Sequence, residues 1–152
     1  MRGFPVAHRG TKLAAMSRRT PIRVLVVDDN HLIRRLLCLI LEGAGFEAVE
    51  AESGEDALEL GREAPPAAWL VDEVMPGMTG SQLIRAVRGS RDRHLSRAAI
   101  VGISGKAAAS GELLLAGADS FIVKPIDERS VLRALTRAIA ARSVVEEHPP
   151  AA

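Results

Sequence analysis

The chain has 152 residues, 47% hydrophobic and 3% aromatic, with 20 basic against 19 acidic side chains for a formal charge of +1. A chain of this length folds as one ordinary domain and buries roughly 70% of its unfolded surface, so it needs no disulfide or structural metal. The even charge balance excludes a strongly basic nucleic-acid binder and an acidic disordered chain, and the absence of Tyr removes the usual base-stacking platforms. The single cysteine, Cys38, cannot form an internal disulfide and fits a reducing compartment. His8, His31, His94 and His148 are scattered, without the spacing that holds a transition metal. No apolar run is long enough to span a membrane.

Residues 1–20 carry Arg2, Arg9, Lys12, Arg18 and Arg19 and no acid, but lack the continuous apolar core of a secretory signal. They are expected to form a disordered basic tail, with Met16 as an alternative start. From there the chain alternates short apolar runs with helical patterns. Arg23–Val27 (RVLVV) reads as a strand ending at Asp28-Asp29, followed by a helix with Ile33, Leu36, Leu37, Ile40, Leu41 and Ala44 at helical spacing. Gly43 and Gly45 stop that helix. Phe46–Ala51 is a second strand. Ser53 then caps a helix through Ala64, with Asp56 as a weak capping-box partner, and Pro65-Pro66 ends it.

Ala67–Val71 is a third, fully apolar strand ending at Asp72. A Pro- and Gly-rich loop leads to a helix over Ser81–Arg88, which Thr79 and Gln82 begin as a capping box. The basic stretch Arg88–Arg93 reads as a solvated loop. Ala98–Ile103 is the fourth strand, Ser110 opens a short leucine-bearing helix closed by Gly117, and Ser120–Val123 is the fifth strand. Asp127 caps a last helix through about Ala141. Strands separated by helices pair in parallel through right-handed crossovers. The expected fold is therefore a doubly wound, five-stranded parallel α/β domain over residues 21–142. The segment 143–152 is expected to be a disordered, acidic, Pro-rich tail.

In an open α/β sheet, ligands bind beyond the C-terminal ends of the strands. Strand one delivers Asp28 and Asp29 there, strand three Asp72, strand four Ser104 and strand five Lys124. Each has a bland alternative: the Asp pair could cap the first helix, Ser104 could be a turn residue and Lys124 a solvated charge. The succession of five polar residues at the ends of four strands argues for one site. Three carboxylates within a few ångströms repel one another unless a cation joins them. Hard oxygen ligands with open water positions favour Mg²⁺, with Mn²⁺ as an acceptable substitute. Beside a lysine and a hydroxyl, such an ion makes a pocket for a phosphoryl group, which a carboxylate there can accept as an acyl phosphate.

Val-Val-Asp28-Asp29, Asp72-Glu-Val-Met-Pro76 with Gly80, the apolar strand closed by Ser104, and Phe121-Ile-Val-Lys124-Pro125 form an ordered set. In that set the chain resembles the receiver domains of two-component response regulators over about residues 22–141. The resemblance implies a flavodoxin-like (βα)5 fold with strand order 2-1-3-4-5. It implies Asp72 as phosphoacceptor, Asp29 as direct Mg²⁺ ligand, Asp28 holding a metal-bound water, and the backbone carbonyl of Val74 as a further ligand. Lys124 would pair with the phosphoryl oxygens, its bond to Pro125 being cis. Ser104 would bond the phosphoryl group, and Phe121 would turn inward into the space Ser104 vacates, a shift carried to the fourth helix, fifth strand and fifth helix.

The implied partners are a histidine kinase or histidine phosphotransfer protein and a downstream protein target in the cytoplasm, with a weak dimer through the same face. No helix-turn-helix follows Ala141, so a DNA-binding domain is not expected. The implied role is a stand-alone switch or relay carrier that acts on no separate substrate, and so is not an enzyme in the ordinary sense. The competing reading, an Mg²⁺-dependent aspartyl-phosphate phosphatase or phosphotransferase, would place an acid two residues after Asp72, where Val74 stands. A pseudo-receiver would have lost one of the site residues, and none is lost. Three departures stand out. Gly105 replaces the usual alanine, and the segment from Ser104 to Phe121 is short, so an abbreviated or irregular fourth helix is expected. Neither Val74 nor Lys106 is a water-positioning residue, which implies a long-lived phosphoryl group. Trp69 is expected to be buried under a helix, close enough to Asp72 to report metal binding by fluorescence, and Met75 and Met78 to pack the loop.

Overall fold

A computed structural model describes residues 20–147. Nearly all of the expected basic tail, and residues 148–152, lie outside the described residues. Five strands, β1 (Arg23–Val27), β2 (Glu47–Ala51), β3 (Ala68–Asp72), β4 (Ala99–Ser104) and β5 (Ser120–Val123), alternate with α1 (His31–Gly43), α2 (Gly54–Glu63), α3 (Gly80–Arg88), α4 (Ser110–Ala116) and α5 (Glu128–Glu147). A single helical turn, Arg93–Ser96, precedes β4. The strands form one parallel sheet in the order β2-β1-β3-β4-β5.

Burial explains the hydrophobic patterns. β3 and β4 are buried at every residue because helices cover both faces, whereas β2 and β5 sit at the edges and are half exposed. One face packs Val24, Val26, Leu70, Val101 and Ile103 against Leu37, Cys38 and Leu41 of α1 and Val131, Leu135 and Ala138 of α5. The other packs Leu25, Val27, Trp69, Val71 and Ile100 against Ala57 of α2, Leu83, Ile84 and Val87 of α3 and Leu113 of α4. Trp69 is fully buried under α2, where a β-carbon on Gly61 would lie 2.7 Å from its ring. Met75 is buried and Met78 half-buried against the same core, as expected for loop packing.

The capping residues act largely as read. Ser53 accepts from the Asp56 amide, one half of the expected box, while Thr79 and Gln82 complete a reciprocal one and Asp127 accepts from Ser130. The first helix is capped by Asn30, whose side chain accepts from Leu32 and Ile33. The helix-capping alternative for Asp28 and Asp29 is thereby removed. As expected from its short segment, α4 is abbreviated to seven residues and preceded by a 3-10 turn at Ala107–Ala109.

Two expectations are corrected. The last helix does not stop near Ala141 but continues through Glu147, so 143–147 are helical rather than part of an irregular tail. The sequence Arg142–Glu147 contains neither Gly nor Pro to end it. The Arg88–Arg93 stretch is not merely a solvated loop, because Asp92 caps the turn Arg93–Ser96, which buries Leu95, and Arg88 folds inward. Its guanidinium donates to the carbonyls of Gly117 (2.8 Å), Ser96 (2.9 Å) and Ala98 (2.6 Å) and to the Asp119 carboxylate (3.0 Å). Gly117, at φ +121°, leaves room for it: a β-carbon there would lie 2.7 Å from Arg88 Cγ. Asp119 also accepts from the Ile100 amide and from Arg142 of α5. Burial pulls the Arg88 pKa down, Arg142 adds to this, and Asp119 opposes it.

This network ties α3, β4 and α5 together at the end of the sheet opposite Asp72. Removing one partner of such a buried, multiply bonded ion pair costs roughly 3–5 kcal/mol. Arg88→Ala should lower stability by about that amount in urea unfolding, and Arg88→Lys should recover less than half of it, because one ammonium cannot replace the guanidinium fork. A loss under about 1 kcal/mol would show the network to be a surface feature.

Candidate functional site at the C-terminal edge of the sheet

Strand register assembles the site. Val27 pairs with Val71, Asp72 with Ile103, and Ser104 with Val123. The next residues along β1 and β5 are Asp28 and Lys124, so four strands deliver their polar ends to one edge. Asp28, Asp29 and Asp72 each offer a carboxylate oxygen, and these atoms lie within 4.8 Å of one another. Lys124 Nζ is 2.9 Å from Asp72 Oδ1, and the Lys124–Pro125 peptide is cis as expected. Asp28 and Asp72 are buried, while Asp29 is exposed.

Burial dominates the electrostatics. It raises the Asp28 pKa from 3.8 to about 6, and the nearby Asp72 and Asp29 charges add to the rise, while the Asn30 amide and Lys124 oppose it. Asp72 is also raised, mainly by burial and further by Asp29, against the pull of its Lys124 hydrogen bond. Asp28 Oδ1 accepts from the Asn30 amide at 2.9 Å, but Asp28 Oδ2 is buried without a hydrogen-bond partner. A buried oxygen left bare beside two further carboxylates fits a hard divalent cation with oxygen ligands.

The β3–α3 loop is shaped around Asp72. A β-carbon on Gly80 would lie 2.4 Å from the Asp72 carbonyl oxygen and 2.8 Å from Glu73 Cα, so only glycine lets α3 begin this close to the strand end. The Gly80 amide donates to the Glu73 carbonyl at 3.0 Å, and Ser81 Oγ donates to the Glu73 carboxylate at 2.7 Å. Pro76 lies in the same loop, Val74 is 76% exposed, and its main chain hydrogen-bonds the Asp72 carboxylate.

Ser104 is buried, but its hydroxyl faces its own loop: Oγ donates to the Lys106 carbonyl at 2.9 Å and accepts from the Lys106 amide at 3.1 Å. Phe121 is 40% exposed at the β5 edge. Sequence reasoning passed over Asn30 and Arg34, which donates to the Asp28 carbonyl at 2.7 Å. Asn30 could have been found from its place just before the apolar helical repeat. No sequence signal marks Arg34, since its partners come from β2 and the β1–α1 loop.

A doubly wound parallel sheet with a cation-ready acidic pocket and a lysine at its C-terminal edge defines a class of α/β signalling and phosphoryl-handling domains. Residues 24–136 match the response regulator receiver domain, and the chain belongs to that family, the receiver modules of two-component signalling. It is 33% identical over 138 residues to the transcriptional regulatory protein ResD of Bacillus subtilis, a match covering 89% of this chain and 56% of that protein. It is 34% identical over 131 residues to SrrA of Staphylococcus aureus, covering 84% and 53%. The chain thus spans about half the length of these curated relatives.

Among solved structures, a putative response regulator from Chloroflexus aurantiacus superposes with a TM-score of 0.75 at 29% identity, over 80% of this chain and 99% of that one. The chemotaxis response regulator CheY4 of Vibrio cholerae gives 0.72 at 30% identity, over 78% and 99%. A sensor protein from Polaromonas gives 0.71 at 38% identity, over 82% and 99%. Among the described residues no helix is long and apolar enough to cross a membrane.

The raised Asp28 pKa sets a pH dependence. Its folded value lies above its unfolded one, so the group favours folding at low pH and that contribution is lost as pH rises from about 4 through about 6. Without divalent cations the protein should therefore gain about 1 kcal/mol from this group on going from pH 7 to pH 5. Urea unfolding in a chelator checks this, and Asp28→Asn should flatten the slope and raise stability at pH 7. A wild-type stability that rises from pH 5 to 7 in the same way as the variant's would overturn the assignment.

Proposed function

We propose that this protein is a phosphorylation-activated receiver in a two-component or phosphorelay system, with Asp72 as its phosphoacceptor. The observation that carries the reading is the buried acidic cluster with Lys124 bonded directly to Asp72. In the transfer, an Asp72 carboxylate oxygen attacks the phosphorus of a phosphohistidine. The P–N bond breaks as the P–O bond forms, and the nitrogen leaves with its electron pair. The donor is a histidine kinase or a histidine phosphotransfer protein, which places the protein in the cytoplasm.

Asp28, Asp29, Asp72 and the Val74 main-chain carbonyl would hold Mg²⁺, or Mn²⁺ in its place. When bound, the ion supplies charge neutralisation between the carboxylates and the incoming phosphoryl oxygens. Lys124 lies beside the attacking oxygen, where its ammonium meets the negative charge added to Asp72. Ser104 turns from Lys106 toward the phosphoryl group, and Phe121 moves from its exposed position into the vacated space. The α4–β5–α5 face then takes a second packing that a downstream protein, or weakly a second copy, reads. The protein transfers phosphate only to and from its own aspartate, with no separate substrate. Val74 offers no acid for leaving-group chemistry, which weighs against a phosphatase.

Incubation with a small acyl-phosphate donor and Mg²⁺, read by intact mass, should give one phosphate adduct in the wild type and essentially none in Asp72→Asn. Equal adduct in both would overturn the assignment. The adduct should persist for minutes or more after donor removal, since exposed Val74 and Lys106 flank the site without a group that orients water. A half-life of seconds, followed by the same mass measurement over time, would refute the expected long lifetime.

A further inference from the structure

The Arg34 side chain is charged yet only 12% exposed, and each nitrogen of its guanidinium has a partner. Nη1 donates to the main-chain carbonyl of Asp28 at 2.7 Å, and Nε donates to Glu50 Oε1 of β2 at 3.1 Å. Nη2 lies 3.3 Å from His31 Nδ1. Arg35 holds the second oxygen of the same glutamate at 3.2 Å, so Glu50 is itself fixed from both sides. On the other side of the loop, the Asp28 amide donates to the Ala51 carbonyl at 3.2 Å. Asp28 is therefore tied to β2 through its amide, and the peptide joining it to Asp29 is tied to α1 through the Asp28 carbonyl and Arg34.

We infer that Arg34 is a positioning residue for the acidic pair: by fixing the Asp28 carbonyl it sets the plane of the Asp28–Asp29 peptide, and with it the direction in which both carboxylates leave the backbone. This rests on the cation-binding reading of the pocket. Rotation of that peptide would swing Asp29, the exposed member, away from Asp72, whereas Asp28 is held separately by the Asn30 amide. The guanidinium acts by geometry. Its charge is spent on Glu50, and any field it casts on the carboxylates opposes cation binding. Groups that orient metal ligands from behind in this way change metal affinity by about 10–100-fold when removed.

The sign of the effect separates the two roles. If Arg34 were only a nearby positive charge, Arg34→Ala would bind Mg²⁺ more tightly. As a positioning residue its loss weakens binding by about tenfold, and Arg34→Lys, which keeps the charge but loses the fork, weakens it to a similar degree. Glu50→Gln leaves the bond to the Asp28 carbonyl in place and should change affinity by less than threefold. The measurement is calorimetric titration of Mg²⁺ into the full chain and the three variants, each first shown to be folded by circular dichroism. Arg34→Ala and Arg34→Lys both binding within twofold of wild type, or more tightly, would overturn the inference while leaving the pocket's cation reading intact. A wild type that takes up no Mg²⁺ would overturn that reading and this inference together.

Discussion

Two carboxylates buried within reach of a third at the edge of a parallel sheet are costly in isolation, and the surrounding structure is organised around that cost. Burial pushes Asp28 and Asp72 toward their neutral forms, while Lys124 pulls Asp72 back toward its charged one. The pocket is therefore held in electrostatic tension, with one buried oxygen unpartnered. Such an arrangement persists only because the strands that deliver it are locked by packing on both faces. β1 and β3 form the apolar centre of the sheet, and their last residues have no freedom to spread apart.

The same rigidity makes a small local event consequential. Ser104 closes a fully buried strand, and its hydroxyl is occupied by both polar groups of the Lys106 main chain. For that hydroxyl to serve the pocket, the loop leading into α4 must let go of it. Phe121 stands one strand away, exposed at the sheet edge beside α5. If the proposed switch operates, a change at the pocket would have a short route to the surface through Ser104 and Phe121. At the opposite end, the Arg88–Asp119–Arg142 network fastens α5 and the α4–β5 connection to the sheet.

Much of this was legible in the residues. Runs such as RVLVV and AAWLV mark strands buried on both faces, and the caps at Ser53, Thr79 and Asp127 mark where helices begin. The site was legible because a parallel α/β fold sends every strand's C-terminal residue to one edge, so five separate positions could be assembled without coordinates. Arg88 and Arg34 were not legible, since a charged residue on a helix looks solvated unless its distant partners are known. The end of α5 was misjudged for a related reason. Its last turns carry no stop signal, and Arg142 is anchored by Asp119, more than twenty residues away in sequence.

The sequence by itself determined the order of elements, the parallel doubly wound class and the identity of the polar residues at the sheet edge, because these follow from local periodicity and strand-end chemistry. Tertiary structure decided how the residues are held. It placed Asn30 rather than the Asp pair at the helix cap, turned Ser104 to Lys106 and Phe121 to solvent, and clamped the Asp28 carbonyl with Arg34. Those choices depend on side chains far apart along the chain meeting at hydrogen-bond distance. Only the packed sheet, which fixes strand register and helix position together, brings them there.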